Sequence, residues 1–246
     1  VKADPNAQQR LLDLQGIDTT LSQLAHRRDT LPELAELDRL AGELSAAADQ
    51  QTRAQLELDD LDRDIARLER DVDQVRARKE KDSTRLASGR GPSRELEALQ
   101  HELESLNRRQ TELEDAELEL MERREQAQTV MAEVTGRLTA VRQRHAEVEA
   151  RRDAALAEIA AQETAQTEAR KPLVGQLPAD LVALYERIRD DSGGMGAALL
   201  RSGRCGGCRL DLSATERARI KAAPPDEVVR CEDCRRIMVR TAESGL

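Results

Sequence analysis

Apolar residues recur at alternating three- and four-residue steps from Leu37 through Leu40, Leu44, Ala47, Ala54, Leu58, Leu61, Ile65, Leu68 and Val72 to Val75, with Gln51 the one polar member. That spacing keeps a single stripe of a helix apolar and is the heptad signature of a coiled coil. The stripe stops at "LASGRGPSRELEAL", where Gly89, Gly91 and Pro92 break a helix and Ser93 is a candidate N-cap. A second seam then runs from Leu96 to Val148, interrupted by Gln110, Glu117, Arg124 and His145. Two helices joined by a short turn run antiparallel. Folding the chain near residue 91 sets Val75 against Leu106, Leu68 against Leu113, Leu61 against Leu120, Leu44 against Leu138 and Leu40 against Val141. Gln110, Glu117 and Arg124 then fall opposite Val72, Ile65 and Leu58, where long side chains can cross the seam on their stems and keep their polar ends wet.

Upstream, Leu14, Ile17, Leu21 and Leu24 form a third stripe, separated from the first by a kink or break near Pro32. The segment 6–31 is expected to cover the base of the return helix, which should end at about Arg170, before Pro172. At 1.5 Å per residue, the hairpin is expected to project on the order of 80 Å. Beyond "KPLVGQLP" the pattern changes. Leu181, Leu184, Tyr185 and Ile188 predict one amphipathic helix, closed by Gly193, Gly194 and Gly196. "AALLRSGR" reads as a strand, "LSATERARIKAAPP" as a short helix with Ser213 and Glu216 spaced as a capping box, and "EVVRCEDCRRIMVR" as strand, knuckle, strand. The fold class is therefore mainly α: residues 1–172 a coiled-coil hairpin with its tip near 88–93, and 173–246 a helix plus a small α+β ribbon.

Composition sharpens this picture. The chain has 246 residues, 35% of them charged, with no Phe, no Trp and a single Tyr, a composition of long helices and not of an aromatic-filled core. No stretch approaches a signal peptide or a membrane span, so a cytoplasmic protein with no membrane partner is expected. All four cysteines lie in the pattern C-x2-C-x22-C-x2-C, at Cys205, Cys208, Cys231 and Cys234. Two residues between thiolates let each pair grip one ion, and two pairs complete a tetrahedral shell, so one structural Zn²⁺ is expected. A zinc-linked redox switch is the minor alternative. Catalytic zinc is disfavoured, because four thiolates leave no open position for water. Gly206 and Gly207 read as the tight turn between ligands, while Arg235 stands where glycine would more comfortably take a left-handed turn.

The whole chain resembles the bacterial family of four-cysteine zinc-ribbon proteins with a long N-terminal helical hairpin. The residues that carry the resemblance are "SRELEALQHELESL", "LVALYERI", "RSGRCGGCRLDLS" and "VVRCEDCRRIMV". Family members usually have Cys-Gly-Arg-Ile at the last knuckle, where this chain has Cys234-Arg235-Arg236-Ile237. The resemblance implies an elongated zinc-binding protein, similar to adaptors or chaperones of flagellar and secretion systems, with RNA or transcription-factor binding proposed for some.

The net charge of −9 argues against a generally basic coat, yet the ribbon is locally cationic. Between 201 and 240 ten arginines and lysines face six acidic residues. A four-thiolate zinc site takes two charges back and leaves the ribbon mildly positive. Arg201, Arg204, Arg209, Arg217, Arg219, Arg230, Arg235 and Arg236 are the candidate contacts to RNA or DNA or to another partner. They would grip phosphate and not bases, since the ribbon has no aromatic platform. The tip carries Arg85, Arg90 and Arg94, a candidate docking point and too basic to hold a catalytic metal. His26, His101 and His145 are far apart, no nucleophile stands beside them, and a two-helix coil offers no cavity for a small-molecule substrate. The reading is a non-enzymatic zinc-binding adaptor. Its ribbon meets nucleic acid or the transcription or translation machinery, and its hairpin meets a protein partner. The alternative is a protein-only chaperone or scaffold.

Overall fold

The computed structural model describes residues 1–245. Helices α1 (Pro5–Asp29), α2 (Pro32–Ala87), α3 (Ser93–Gly175) and α4 (Ala179–Asp191) precede strands β1 (Ala197–Arg201) and β2 (Arg204–Cys205), helix α5 (Ala214–Ala222), strands β3 (Val229–Arg230) and β4 (Ile237–Val239), and a 3-10 turn at Ala242–Ser244. The described chain divides into two compact units, one of residues 35–149 and one joining Val1–Leu34 to the chain from Ala150 onward. No described helix is long and apolar enough to cross a membrane.

Within the first unit the two seams meet as an antiparallel coiled coil. Leu37, Leu40, Ala47, Ala54, Leu61 and Val72 of α2 are buried, as are Leu113, Ala127, Leu138, Val141 and Val148 of α3. Leu40 and Val141 share one cluster, as the register requires. Of the polar interruptions, Gln110 bonds Lys79 and Glu114, and Arg124 pairs with Asp62. Of the cross-hairpin ion pairs, Arg78–Glu102 keeps the apolar register, while Arg76–Glu114, Asp62–Arg124 and Glu43–Arg144 reach further along α3. Each helix tilts its side chains toward its own N-terminus, which offsets long polar partners in this direction. The tip at 88–92 lies where the glycines put it, with Gly89 at φ 64° and Gly91 at φ 142°. Ser93 is not the cap: it is the first helical residue, and the Pro92 carbonyl takes the N–H groups of Glu95 and Leu96.

The second unit decides one open point and corrects two expectations. Pro32 breaks the chain into two helices and serves as the first residue of α2, where its missing N–H costs nothing. Pro172 does not end α3, which continues to Gly175; the ring lies in the last turn, and Gln176 N–H closes on the Pro172 carbonyl at 3.2 Å. The segment 1–34, assigned from its position to the hairpin, packs mostly in the ribbon's unit. Ala7, Leu11 and Leu14 of α1 join Leu181, Tyr185 and Ile188 of α4 against Ala197, Ile237 and Val239 of the sheet. It meets the return helix as expected through Leu24 and Leu31 on Ile159, and through Asp18 on Arg170.

The sheet has the order β2-β1-β4-β3, with β1 and β4 parallel and both outer pairings antiparallel. Alternation along its two central strands gives each face its own core. Ala197, Ile237 and Val239 turn to the helices, while Leu200 and Met238 turn to Leu212, Ile220, Val229, Cys205 and Cys231.

A polar network lies beneath the helical face. Asp18, 4% exposed, accepts from Tyr185 Oη at 2.7 Å, Arg170 Nε at 2.7 Å and Arg189 Nη1 at 3.1 Å. Both guanidiniums also reach Glu186. Burial acts against the charge on Asp18, but the bonds from Arg170, Tyr185 and Arg189 outweigh it and hold the carboxyl below its ordinary 3.8. Gln15, also buried, accepts from the N–H groups of Gly196 at 2.7 Å and Ala197 at 3.2 Å. It donates to the Gly194 carbonyl at 3.1 Å. The glycine-rich exit of α4 is thereby pinned to α1.

Candidate metal centre

Each cysteine pair occupies one of two knuckles built alike. In the first, Cys205 N–H donates to the Leu210 carbonyl and Arg209 N–H to the Cys205 carbonyl; in the second, Cys231 N–H donates to Arg236 and Arg235 N–H to Cys231. The backbone N–H groups of Gly207 and Cys208 point at Cys205 Sγ, and those of Asp233 and Cys234 at Cys231 Sγ. Arg209 at φ 63° and Arg235 at φ 64° complete the match, each in the left-handed region one residue past a ligand.

The four Sγ atoms lie within 4.8 Å of one another, with Cys205–Cys234 at 3.8 Å and Cys208–Cys231 at 3.9 Å. A tetrahedral ion with Zn–S near 2.3 Å sets its sulfurs about 3.8 Å apart, so the donor set fits zinc and the separations are too long for a disulfide. Burial raises the Cys205 and Cys231 thiols. At Cys234 burial acts the same way, but bonds from Arg236, Cys231 and Cys205 together outweigh it and bring the thiol to about 7. Four cysteines of this geometry hold one structural Zn²⁺, and Cys205 and Cys231 are themselves part of the core on that side of the sheet.

The two glycines between Cys205 and Cys208 are required by space and not by the turn, since neither has a positive φ. A Cβ on Gly206 would lie 2.7 Å from the Leu199 carbonyl oxygen, and one on Gly207 would lie 2.7 Å from Arg236 Cδ. Gly206→Ala must displace backbone that is itself bonded, because Gly206 N–H donates to Leu199 O at 2.9 Å. The variant should lose about 1–3 kcal/mol in urea unfolding, the range of an overpacked site.

The candidate arginines separate by what they touch. Arg201 pairs with Glu243 at 3.1 Å, and Arg204 with Asp211 through two bonds at 3.0 and 3.4 Å. With Arg209 they line one cleft of about 410 Å³ beside Cys205 and Gly206. Arg217 lays its stem over Gly203. Arg219 pairs with Glu232 at 3.4 Å, and Arg230 donates to the Arg235 carbonyl at 2.9 Å. Arg236 turns inward, its Nη2 donating to Ser192 O at 2.7 Å and its Nε to Met195 O at 3.1 Å, which ties the second knuckle to the end of α4. Arg85, Arg90 and Arg94 are exposed and belong to the other unit.

Arg240, Glu216 and Gln8 carried no sequence signal of the roles they play. Arg240 donates to the carbonyls of Ile220, Ala223, Pro224, Pro225 and Glu227, closing α5 and the loop behind it. Ser213 caps α5 by accepting from Glu216 N–H at 3.0 Å. The Glu216 carboxylate, however, does not complete the capping box; it is buried and accepts from Glu232 N–H at 3.0 Å, bracing the second knuckle. Gln8, also buried, donates to the carbonyls of Ala3 and Pro225.

Residues 14–193 match the model of the CT398-like coiled coil hairpin domain, and residues 204–238 that of the C4-type zinc ribbon domain. Protein Rv2229c of Mycobacterium tuberculosis is 40% identical over 240 residues, 98% of each chain. A solved structure from Mycobacterium smegmatis superposes with a TM-score of 0.87 at 36% identity, over 98% of this chain and 100% of that one. CT398 from Chlamydia trachomatis shares the fold at a TM-score of 0.67 and 18% identity, over 95% and 97% of the two chains. The chain belongs to the family of CT398-like coiled-coil hairpin proteins that carry a C4-type zinc ribbon.

Proposed function

We propose that this protein is a non-enzymatic cytoplasmic adaptor whose zinc ribbon contacts the phosphate backbone of RNA or DNA and whose hairpin engages a protein partner. The observation that carries the nucleic-acid half is the cleft beside Cys205, where Arg201, Arg204 and Arg209 converge. Guanidinium forks match phosphate oxygens in pairs, and the carboxylates that now hold Arg201 and Arg204 are solvent-exposed and exchangeable. The ribbon, with no aromatic side chain, is suited to backbone contact without base selection. Exposed Leu56, Leu118, Met121 and Val130 on the hairpin support its reading as a protein-binding element.

A salt titration tests the ribbon's role. Binding to a fluorescein-labelled 20-nucleotide oligouridine should weaken with a log–log slope of about −2, from three phosphate contacts at roughly 0.7 each. DNA of the same length should behave alike. Absence of binding at 50 mM salt, or binding unchanged in the triple variant Arg201→Ala, Arg204→Ala, Arg209→Ala, would leave the protein-only scaffold as the correct reading.

A further inference from the structure

Arg209 and Arg235 stand apart from the other cations of the ribbon. Both adopt the left-handed conformation, at φ 63° and 64°, where an L side chain crowds its own carbonyl and glycine does not. Both are exposed, and among the described residues neither guanidinium donates a hydrogen bond or pairs with a carboxylate. Arg201, Arg204 and Arg219, in contrast, are held by carboxylates, and Arg230, Arg236 and Arg240 by carbonyls. Arg217 and Lys221 are likewise unpaired among the described residues but project from helix α5, whose backbone is ordinary for an L residue. The fold therefore makes no use of these two side chains, and the backbone at each position would accept glycine more readily. Their positions are also equivalent: each follows the second ligand of its knuckle, within the same pair of backbone hydrogen bonds.

We infer that Arg209 and Arg235 are the principal phosphate contacts of the ribbon, a matched pair of cations presented from the two zinc knuckles to the phosphodiester backbone of a nucleic-acid strand. The inference rests on the nucleic-acid reading above and narrows it to the two residues whose conformation brings the fold no benefit. It also extends the contact surface beyond the cleft, since Arg235 lies outside it. Zinc then has a second consequence. By fixing both knuckles it fixes the two points from which the arginines project.

Glycine is the informative substitution, because it removes the cation while suiting the backbone. In the full-length zinc-loaded protein, Arg209→Gly and Arg235→Gly should each keep one zinc per chain and a melting temperature no lower than the parent's. Each should weaken binding of the 20-nucleotide oligouridine at least fivefold at 100 mM salt and reduce the salt slope by about 0.7. Removing the same charge elsewhere on the ribbon, by Arg217→Ala or Lys221→Ala, should change binding less than twofold. If the parent binds and the two glycine variants bind equally well, the inference is overturned while the broader reading stands. Equal losses in the Arg217 and Lys221 variants would overturn it too, pointing to diffuse charge. If poly-glutamate of matched length binds as tightly and with the same dependence on Arg209 and Arg235, the partner is an acidic protein segment and the phosphodiester assignment fails. A parent that binds no nucleic acid at all removes both readings together.

Discussion

Chelating zinc from this protein should unfold residues 197–245 and leave the coiled coil of 35–149 helical. On the ribbon's inner face the core consists of Leu200, Leu212, Ile220, Val229 and Met238 together with Cys205 and Cys231, so two of its seven buried members are metal ligands. Apolar burial of that extent cannot hold four short strands, even with Ala197, Ile237 and Val239 packed on the helices across the sheet. Structural zinc contributes an apparent 10–16 kcal/mol in small domains of this kind, as much as the entire stability of many larger ones. The hairpin seam draws nothing from the ion. Hydrogen exchange should therefore lose its protection across β1 to β4 after chelation, while amides in 35–149 keep theirs and the helical circular dichroism falls only by the share of the short helices. Cys231→Ser should reproduce the effect, since the buried position then offers a harder and more weakly binding oxygen. Metal-free protein with native exchange protection across 197–245 would overturn the structural role of the zinc.

The second large effect belongs to Asp18. Asp18→Ala strips the common acceptor from Tyr185, Arg170 and Arg189 and leaves the buried phenol only the longer bond to Gln15 Oε1 at 3.3 Å. Breaking a buried ionic cluster on one side costs about 3–5 kcal/mol. Arg170 and Arg189 keep Glu186 and remain 22% and 27% exposed, which places the expected loss near the lower end, at about 3 kcal/mol. Tyr185→Phe removes one hydrogen bond to a charged acceptor and should cost about 1.5–3 kcal/mol. The pH dependence has a definite sign. Because folding lowers the Asp18 carboxyl below 3.8, its contribution is complete above that value and is lost as the pH falls through the folded one. The stability gap between parent and Asp18→Ala should hold from pH 7 to pH 5 and narrow progressively below pH 3.8. A gap that is independent of pH would show that the carboxylate's charge is not what the network uses.

These two sites differ in how they could be read from the chain. The zinc ligands are legible because metal chelation imposes a local spacing, and Cys-x2-Cys is visible to anyone counting residues. The partners of Asp18 come from two other helices and lie more than 150 residues from it along the chain. In sequence it is one acidic residue among many, and nothing separates it from the solvated carboxylates of the coiled coil. Gln15 and Glu216 were hidden in the same way. Glu216 was misleading as well, since its spacing from Ser213 suggests a capping box while its carboxylate serves the far knuckle.

Sequence by itself determined the antiparallel hairpin, the position of its tip, an interruption at Pro32, the amphipathic α4 and the four-thiolate site, because each depends on interactions within a few residues or on one repeating contact. Only the tertiary structure decided that α1 covers the sheet, that α3 runs through Pro172, and that Gly206 and Gly207 are small to admit a strand and an arginine. It also decided which arginines hold the fold together and which face solvent. A charged side chain announces its presence in the sequence, but whether it is bonded depends on which carbonyls and carboxylates arrive from elsewhere in the chain. Arg235 and Arg236 are neighbours of identical chemistry; one turns inward onto the carbonyls of Ser192 and Met195, and the other, from a left-handed backbone, is left to the solvent.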